Sequence, residues 1–203
     1  MFATDTDLLF LEPAIFKDLA YIGRLAMSCT AEVQDGFASL TDFDVTAEDA
    51  GIVPGDVVRI GGILLEVVAV NGPAQLVVRA PRVRGDTLAT AISAIASMSA
   101  QVVTFRAQRM IAARRMLHHA GVDPDDAAVV ARIANTKALA DVVAVGALAI
   151  VYRTAGALLA EDVPVNQRAR EYQRLFDVLR ERVPVRFVGG EEGRSVPSRP
   201  TRA

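Results

Sequence analysis

The stretch 51–80, "GIVPGDVVRIGGILLEVVAVNGPAQLVVRA", constrains this chain more than any other, because it packs β-branched runs between turn residues. Runs 56–60, 63–70 and 75–79 read as three strands, since such side chains suit a pleated, half-buried surface. Gly61-Gly62 and Asn71-Gly72-Pro73 join them with residues that supply the backbone angles of tight turns. A three-stranded meander cannot bury both of its faces, so it must curl with other strands into a small barrel or sandwich. Partners are expected in short extended pieces between 30 and 40, around the hairpin-type "QDG", and in "QVVTF" at 101–105.

The rest of the chain reads mostly helical. Pro13 followed by Ile15, Leu19, Ile22 and Leu25/Ala26 predicts an N-terminal helix over about 13–27. "TAEDAG" predicts one capped turn, with Thr46 as cap, Asp49 three residues on and Gly51 as stop. The Ala/Ser-rich segment 86–100 permits either a weak helix or a loop. After Phe105 the period becomes helical: 106–119 carries Met110, Ile111, Met116 and Leu117, with Gly121 as a stop. Asp123-Pro124-Asp125-Asp126 opens a further helix. Asn135 or Thr136 caps the next, running to about 160, whose Ala144, Gly146, Ala147 and Ala149 allow close approach of another helix. A last helix over about 165–182 sets Ala169, Tyr172, Leu175, Phe176 and Leu179 on one stripe. Leu148 and Leu175 are therefore expected in the core. "VPVRFV" follows as a short strand, and "GGEEGRSVPSRPTRA" is too polar to fold alone.

Composition narrows the function classes. With 203 residues, 52% of them apolar, the chain can bury a real core as one domain or two small ones. A net charge of −2 argues against broad nonspecific nucleic-acid binding, which needs a surplus of bases. The single cysteine, Cys29, excludes an internal disulfide and has no neighbouring base to activate it. The N-terminus carries acids where a signal peptide needs bases, so secretion by that route is not expected. The apolar run 142–152 lies between Asp141 and Arg153 and is about half the roughly 20 residues of a membrane span, so it predicts a buried helix.

No motif points to catalysis, a metal or a cofactor. His118 and His119 are adjacent, so on a helix they point to different sides and cannot share a metal. "DPDD" lacks the glycine and closing glutamate of a calcium loop and suits helix capping. No "GxxxxGK" or "GxSxG" occurs. Arg106, Arg109, Arg114 and Arg115, with Arg82 and Arg84 nearby in sequence, form either a solvated helix face or a charged interface for an acidic partner or phosphate.

The order of elements, with "EPAIFKDLA", "AGIVPGDVVRIGGILLEVV", "VVTFRAQ" and "REYQRLFDVLRERV" as its telling pieces, resembles the head-to-tail connector (adaptor) proteins of tailed bacteriophages and gene-transfer agents. The expected fold is α+β: a helical body of about four helices with a small antiparallel β barrel or sandwich insert and an extended C-terminal tail. Residues 1–29 would give the N-terminal helix of the body, 30–105 the β module, 106–183 the remaining body and 184–203 a strand and docking tail. The resemblance implies a structural virion protein of the neck, assembled in the bacterial host cytoplasm and forming a homo-oligomeric, dodecameric ring below the portal. Its partners would be itself, the portal protein and a tail-side stopper or tail terminator protein. DNA would pass through the lumen without specific recognition, and no membrane, cofactor or enzymatic activity is implied. Portal docking is expected at Val185, Arg186, Phe187, Val188, Arg194, Arg199 and Arg202, because an unpaired strand edge invites addition to another sheet. Two rival classes are a soluble ligand-binding or regulatory module with its site in the small β barrel, and a DNA-binding protein using the arginine cluster.

Overall fold

The computed structural model describes residues 2–81, 92–159 and 163–189. Six strands close into an antiparallel barrel in the order β1-β2-β5-β4-β3-β6. They are β1 (Arg24–Gln34), β2 (Phe37–Thr41), β3 (Val57–Ile60), β4 (Ile63–Val70), β5 (Gln75–Arg79) and β6 (Ile95–Thr104). The turns follow from their residues. Asp35 and Gly36 have φ of 50° and 81°, and Gly61 and Gly62 have 54° and 91°. Two successive positive values make the hairpin turn whose twist matches its strands. Strand β1 alternates Met27, Cys29, Ala31 and Val33 into the barrel. Pairing irregularities at Leu25/Met27 and Ala31/Val33 bend it around the curved sheet. The interior is filled: Val33, Val58, Ile60, Leu65, Val67, Leu76, Val78, Ala100 and Val102 are all buried in one cluster.

The helices are α1 (Asp5–Leu11), α2 (Arg106–His119), α3 (Ala127–Ala131), α4 (Thr136–Leu158) and α5 (Val163–Arg182). Helix α4 is the axis of a second core, with Leu139, Val143, Leu148 and Val151 fully buried, and α1, α2 and α5 pack around it. It is long and apolar enough to cross a membrane by length and composition, yet 78% of its apolar window is buried inside the protein. Gly146 explains how closely α5 approaches. A Cβ built there would lie 2.7 Å from two ring carbons of Phe176 and 3.0 Å from the Ala112 Cβ.

Four expectations need correction. The helix expected over 13–27 is absent: α1 lies earlier, capped by Thr4 with Asp7 closing a capping box, and two short 3₁₀ turns at Pro13–Phe16 and Ala20–Ile22 lead into β1. Those two turns reproduced the helical spacing of Ile15, Leu19 and Ile22. Gly23 then lets the chain pass against β6, where a Cβ would lie 2.5 Å from Val103 Cγ1. The β module therefore begins at Arg24, and residues 95–100 of the ambiguous 86–100 segment belong to β6; 86–91 lie outside the described residues. The fold class is corrected accordingly. The chain is α+β with a closed six-stranded antiparallel barrel and, among the described residues, five helices, four of them of seven residues or more. Leu175 is also misplaced by the sequence, for it is 44% exposed while its neighbour Phe176 is 2% exposed.

Candidate functional site

Charged side chains collect in three places. The first joins the two cores, where β6 passes into α2. Arg109, on the first turns of α2, sends Nη1 to the Ala3 carbonyl, and its Nε lies 2.9 Å from Asp5 Oδ1. Its Nη2 is 3.9 Å from Oδ1 of Asp56, the residue that precedes β3. Arg106 donates to the Gly51 carbonyl at 2.9 Å and to Asp56 Oδ2 at 3.3 Å. The Phe105 N–H donates to Asp5 and the Val53 N–H to Asp56. Asp5, Asp56 and Arg109 are 0%, 1% and 3% exposed. Burial pushes the Asp5 carboxyl up to about 6 against the pull of Arg109, and burial raises Asp56 as well. Two buried carboxylates with raised pKa values are an arrangement that acid–base enzymes use. This pair is sealed from solvent and committed to two guanidiniums, so its effect is to fix α1, the barrel and α2 in one orientation.

The second cluster is a clamp. Glu12, which ends α1, accepts hydrogen bonds through Oε2 from Arg168 Nη1 and, at 3.0 Å, from Tyr172 Oη, both on α5. Tyr152 of α4 stacks on Tyr172 with ring centroids 5.5 Å apart. Burial, then the hydrogen bond to Glu12, pushes the Tyr172 hydroxyl up to about 12, and burial raises Tyr152 further. Both phenols stay protonated, which suits donation to a carboxylate.

The third place is open. A groove of about 640 Å³ runs between α4 and α5, lined by Arg153, Arg170 and Arg174 on apolar flooring from Ala149, Ala169 and Val178, with Asp177 and Glu181 among its other walls. Asp177 is already occupied by Arg180 at 2.9 Å. Among the described residues no carboxylate lies within ion-pair distance of Arg153, Arg170 or Arg174.

The arginine cluster expected from the sequence does not form one face. Arg109 is interior, Arg106 is half-buried against Asp56, and Arg114 pairs on the surface with Asp125; Arg115 is exposed. Successive residues on a helix diverge, so adjacency in sequence scattered them. Val185 is buried in the helical core and Phe187 packs against it. Arg186 and Val188 are exposed, while Arg194, Arg199 and Arg202 lie outside the described residues, as do Arg82 and Arg84. The edge expected to be unpaired is paired within the chain: Ile133 bridges Phe187, the Ala134 N–H donates to the Arg186 carbonyl at 2.7 Å, and the Val188 N–H donates to the Arg132 carbonyl at 2.7 Å. Asn135 completes the clip, donating to the Pro184 carbonyl at 2.8 Å and accepting from the Arg186 N–H at 2.9 Å. Burial raises the Cys29 thiol away from the reactive thiolate. His118 and His119 are exposed, and Asp126 caps α3. Among the described residues no group of His, Cys, Asp and Glu has the makings of a metal site.

The groove was missed because its arginines come from two helices. The signal available was the i, i+4 pair Arg170/Arg174, which shares one face of α5. Comparison of the chain with known protein families, with curated proteins and with solved structures finds no match.

Proposed function

We propose that this chain is a structural ring subunit, a head-to-tail adaptor that joins a portal to a tail and leaves a passage for DNA, and that it is not an enzyme. The observation that carries the reading is the sealed Arg109–Asp5–Asp56 junction, which holds a filled barrel and a helical body in one fixed orientation. A subunit that transmits position between two protein layers needs two modules that do not swing. The interior charges serve that rigidity, while the arginine groove faces outward and is free to meet a partner. Ring, portal and tail-side contacts are part of the proposal, and so is the neck of the virion as its place. The C-terminal residues 190–203, with Arg194, Arg199 and Arg202, are proposed to reach the portal, anchored by the clipped segment before them. The ligand-binding alternative finds little support in a barrel whose inward positions are filled by Val, Ile and Leu.

Light scattering and electron microscopy of the purified chain, with and without portal-bearing heads, test this. A closed ring of about twelve copies, or its formation on the portal, is the expected result. A monomer at every concentration that also ignores such heads would end the reading.

A further inference from the structure

We infer that the arginine-lined groove between α4 and α5 receives the acid-rich loop 42–49 of a second copy of this chain, a head-to-tail contact. The inference rests on the ring reading and names its subunit contact. Between Arg24 and Arg59 the chain has no Lys, Arg or His. In that span the loop after β2 presents Asp42, Asp44, Glu48 and Asp49, all exposed, around Val45, which is 44% exposed. Asp42 has a φ of 54°, an unusual angle for a residue with a side chain. The loop is held in shape: Thr46 and Asp49 bond each other, and the Leu40 and Ala47 N–H groups donate to Ala74 and Pro73 carbonyls in the β4–β5 turn.

The groove is the complement of this loop in charge and polarity. Its three arginines are unpaired among the described residues, and its floor of Ala149, Ala169 and Val178 suits a single exposed valine. No ion pair joins the loop to the groove within one chain among the described residues, so the two surfaces are available to different copies. Because they are different patches, their pairing is heterologous, and a heterologous contact repeats around a ring when its rotation closes. Nucleic acid fits the groove less well. Asp177 and Glu181 flank the arginines and oppose any anion, so the groove suits a short acidic segment that ends on the arginines better than a phosphate backbone that runs on past them.

Charge reversal in the full-length chain tests the contact. One variant carries Arg153→Glu, Arg170→Glu and Arg174→Glu; the other carries Asp42→Lys, Asp44→Lys and Glu48→Lys. Each alone is expected to lose the oligomer in light scattering at low salt while keeping the wild-type melting temperature. Mixing the two is expected to restore association, through reversed loop on reversed groove. Oligomers that form unchanged with the groove reversed would overturn this contact and leave the ring reading standing. A wild-type chain that never self-associates, alone or on heads, would overturn both. Loss of binding to a DNA duplex on groove reversal, with self-association intact, would assign the groove to nucleic acid instead.

Discussion

Folding removes the Asp5 carboxyl from water completely, and its titration is thereby tied to stability. Its folded value of about 6 lies above the ordinary value of 3.8, so the native state holds the proton more tightly than the unfolded chain. The contribution is fully present below 3.8 and is lost as pH rises through 6, amounting to about 3 kcal/mol by linkage. Urea unfolding of the wild type and of Asp5→Asn from pH 4 to 8 checks this. The asparagine keeps an acceptor for the Phe105 N–H but cannot ionise, so the wild type should lose more stability than the variant across that range. Parallel curves would remove Asp5 from the account. The level of the variant's curve carries no weight, because it also leaves Arg109 with one fewer carboxylate. Arg109 itself separates interior from surface charge. Its removal leaves the buried Asp5 carboxyl without its cation and Asp56 with Arg106 alone, so Arg109→Ala should cost about 3–5 kcal/mol. Arg114→Ala, which breaks an exposed pair with Asp125, should cost under about 1 kcal/mol. Similar losses for the two would show that the junction does not hold the modules. No sequence pattern marks this difference, since the partners of Arg109 stand about fifty and a hundred residues away and only closure of the barrel brings them together.

At the scale of elements, legibility followed the strength of the period. The strands at 57–60, 63–70 and 75–79 were readable because β-branched runs meet unmistakable turn residues, and α2, α4 and α5 because their apolar spacing is sustained. The first half of β1 was hidden, while its second half and β2 were expected as extended pieces around the Asp35-Gly36 turn. In that first half the inward Met27 and Cys29 alternate with Ala26 and Ser28, a weak contrast, and the 3₁₀ turns before it imitate a helix. The stripe on α5 was read rightly at Ala169, Tyr172, Phe176 and Leu179, which lie in or against the helical core with Phe176 seated on Gly146, and wrongly at Leu175, which is exposed. Leu148→Ala should therefore cost about 2–5 kcal/mol, while Leu175→Ala should change stability by under about 0.5 kcal/mol. Gly146→Ala is the sharper test of helix packing. Alanine gains about 1 kcal/mol of helix propensity over glycine, but its Cβ would collide with the Phe176 ring, and overpacking costs about 1–3 kcal/mol. A net loss is expected, relieved when Phe176→Leu is combined with it. A Gly146→Ala chain more stable than the wild type would mean that α4 and α5 are not in close contact there.

For the whole molecule, the end of the chain decides between holding the fold together and reaching outward. The sequence predicts a strand at "VPVRFV", but the structure makes only an isolated β-bridge there, Phe187 to Ile133, and its partner was not legible because 132–135 reads as the gap between two helices. Removing 184–203 would strip Val185 and Phe187 from the helical core and break the bonds to Arg132, Ala134 and Asn135. That deletion should lower the melting temperature by several degrees, as a loss of about 1–3 kcal/mol does in a domain of this size. Removing only 190–203 keeps the clip and takes away a polar segment carrying Arg194, Arg199 and Arg202, so the melting temperature should stay put. If that segment is what reaches the portal, the shorter deletion alone should abolish attachment to portal-bearing heads while leaving self-association intact. The comparison is decisive because the two deletions differ only in the clipped residues: stability should follow 184–189 and attachment should follow 190–203. Heads that bind the shorter deletion with undiminished affinity would exclude the tail as the portal contact.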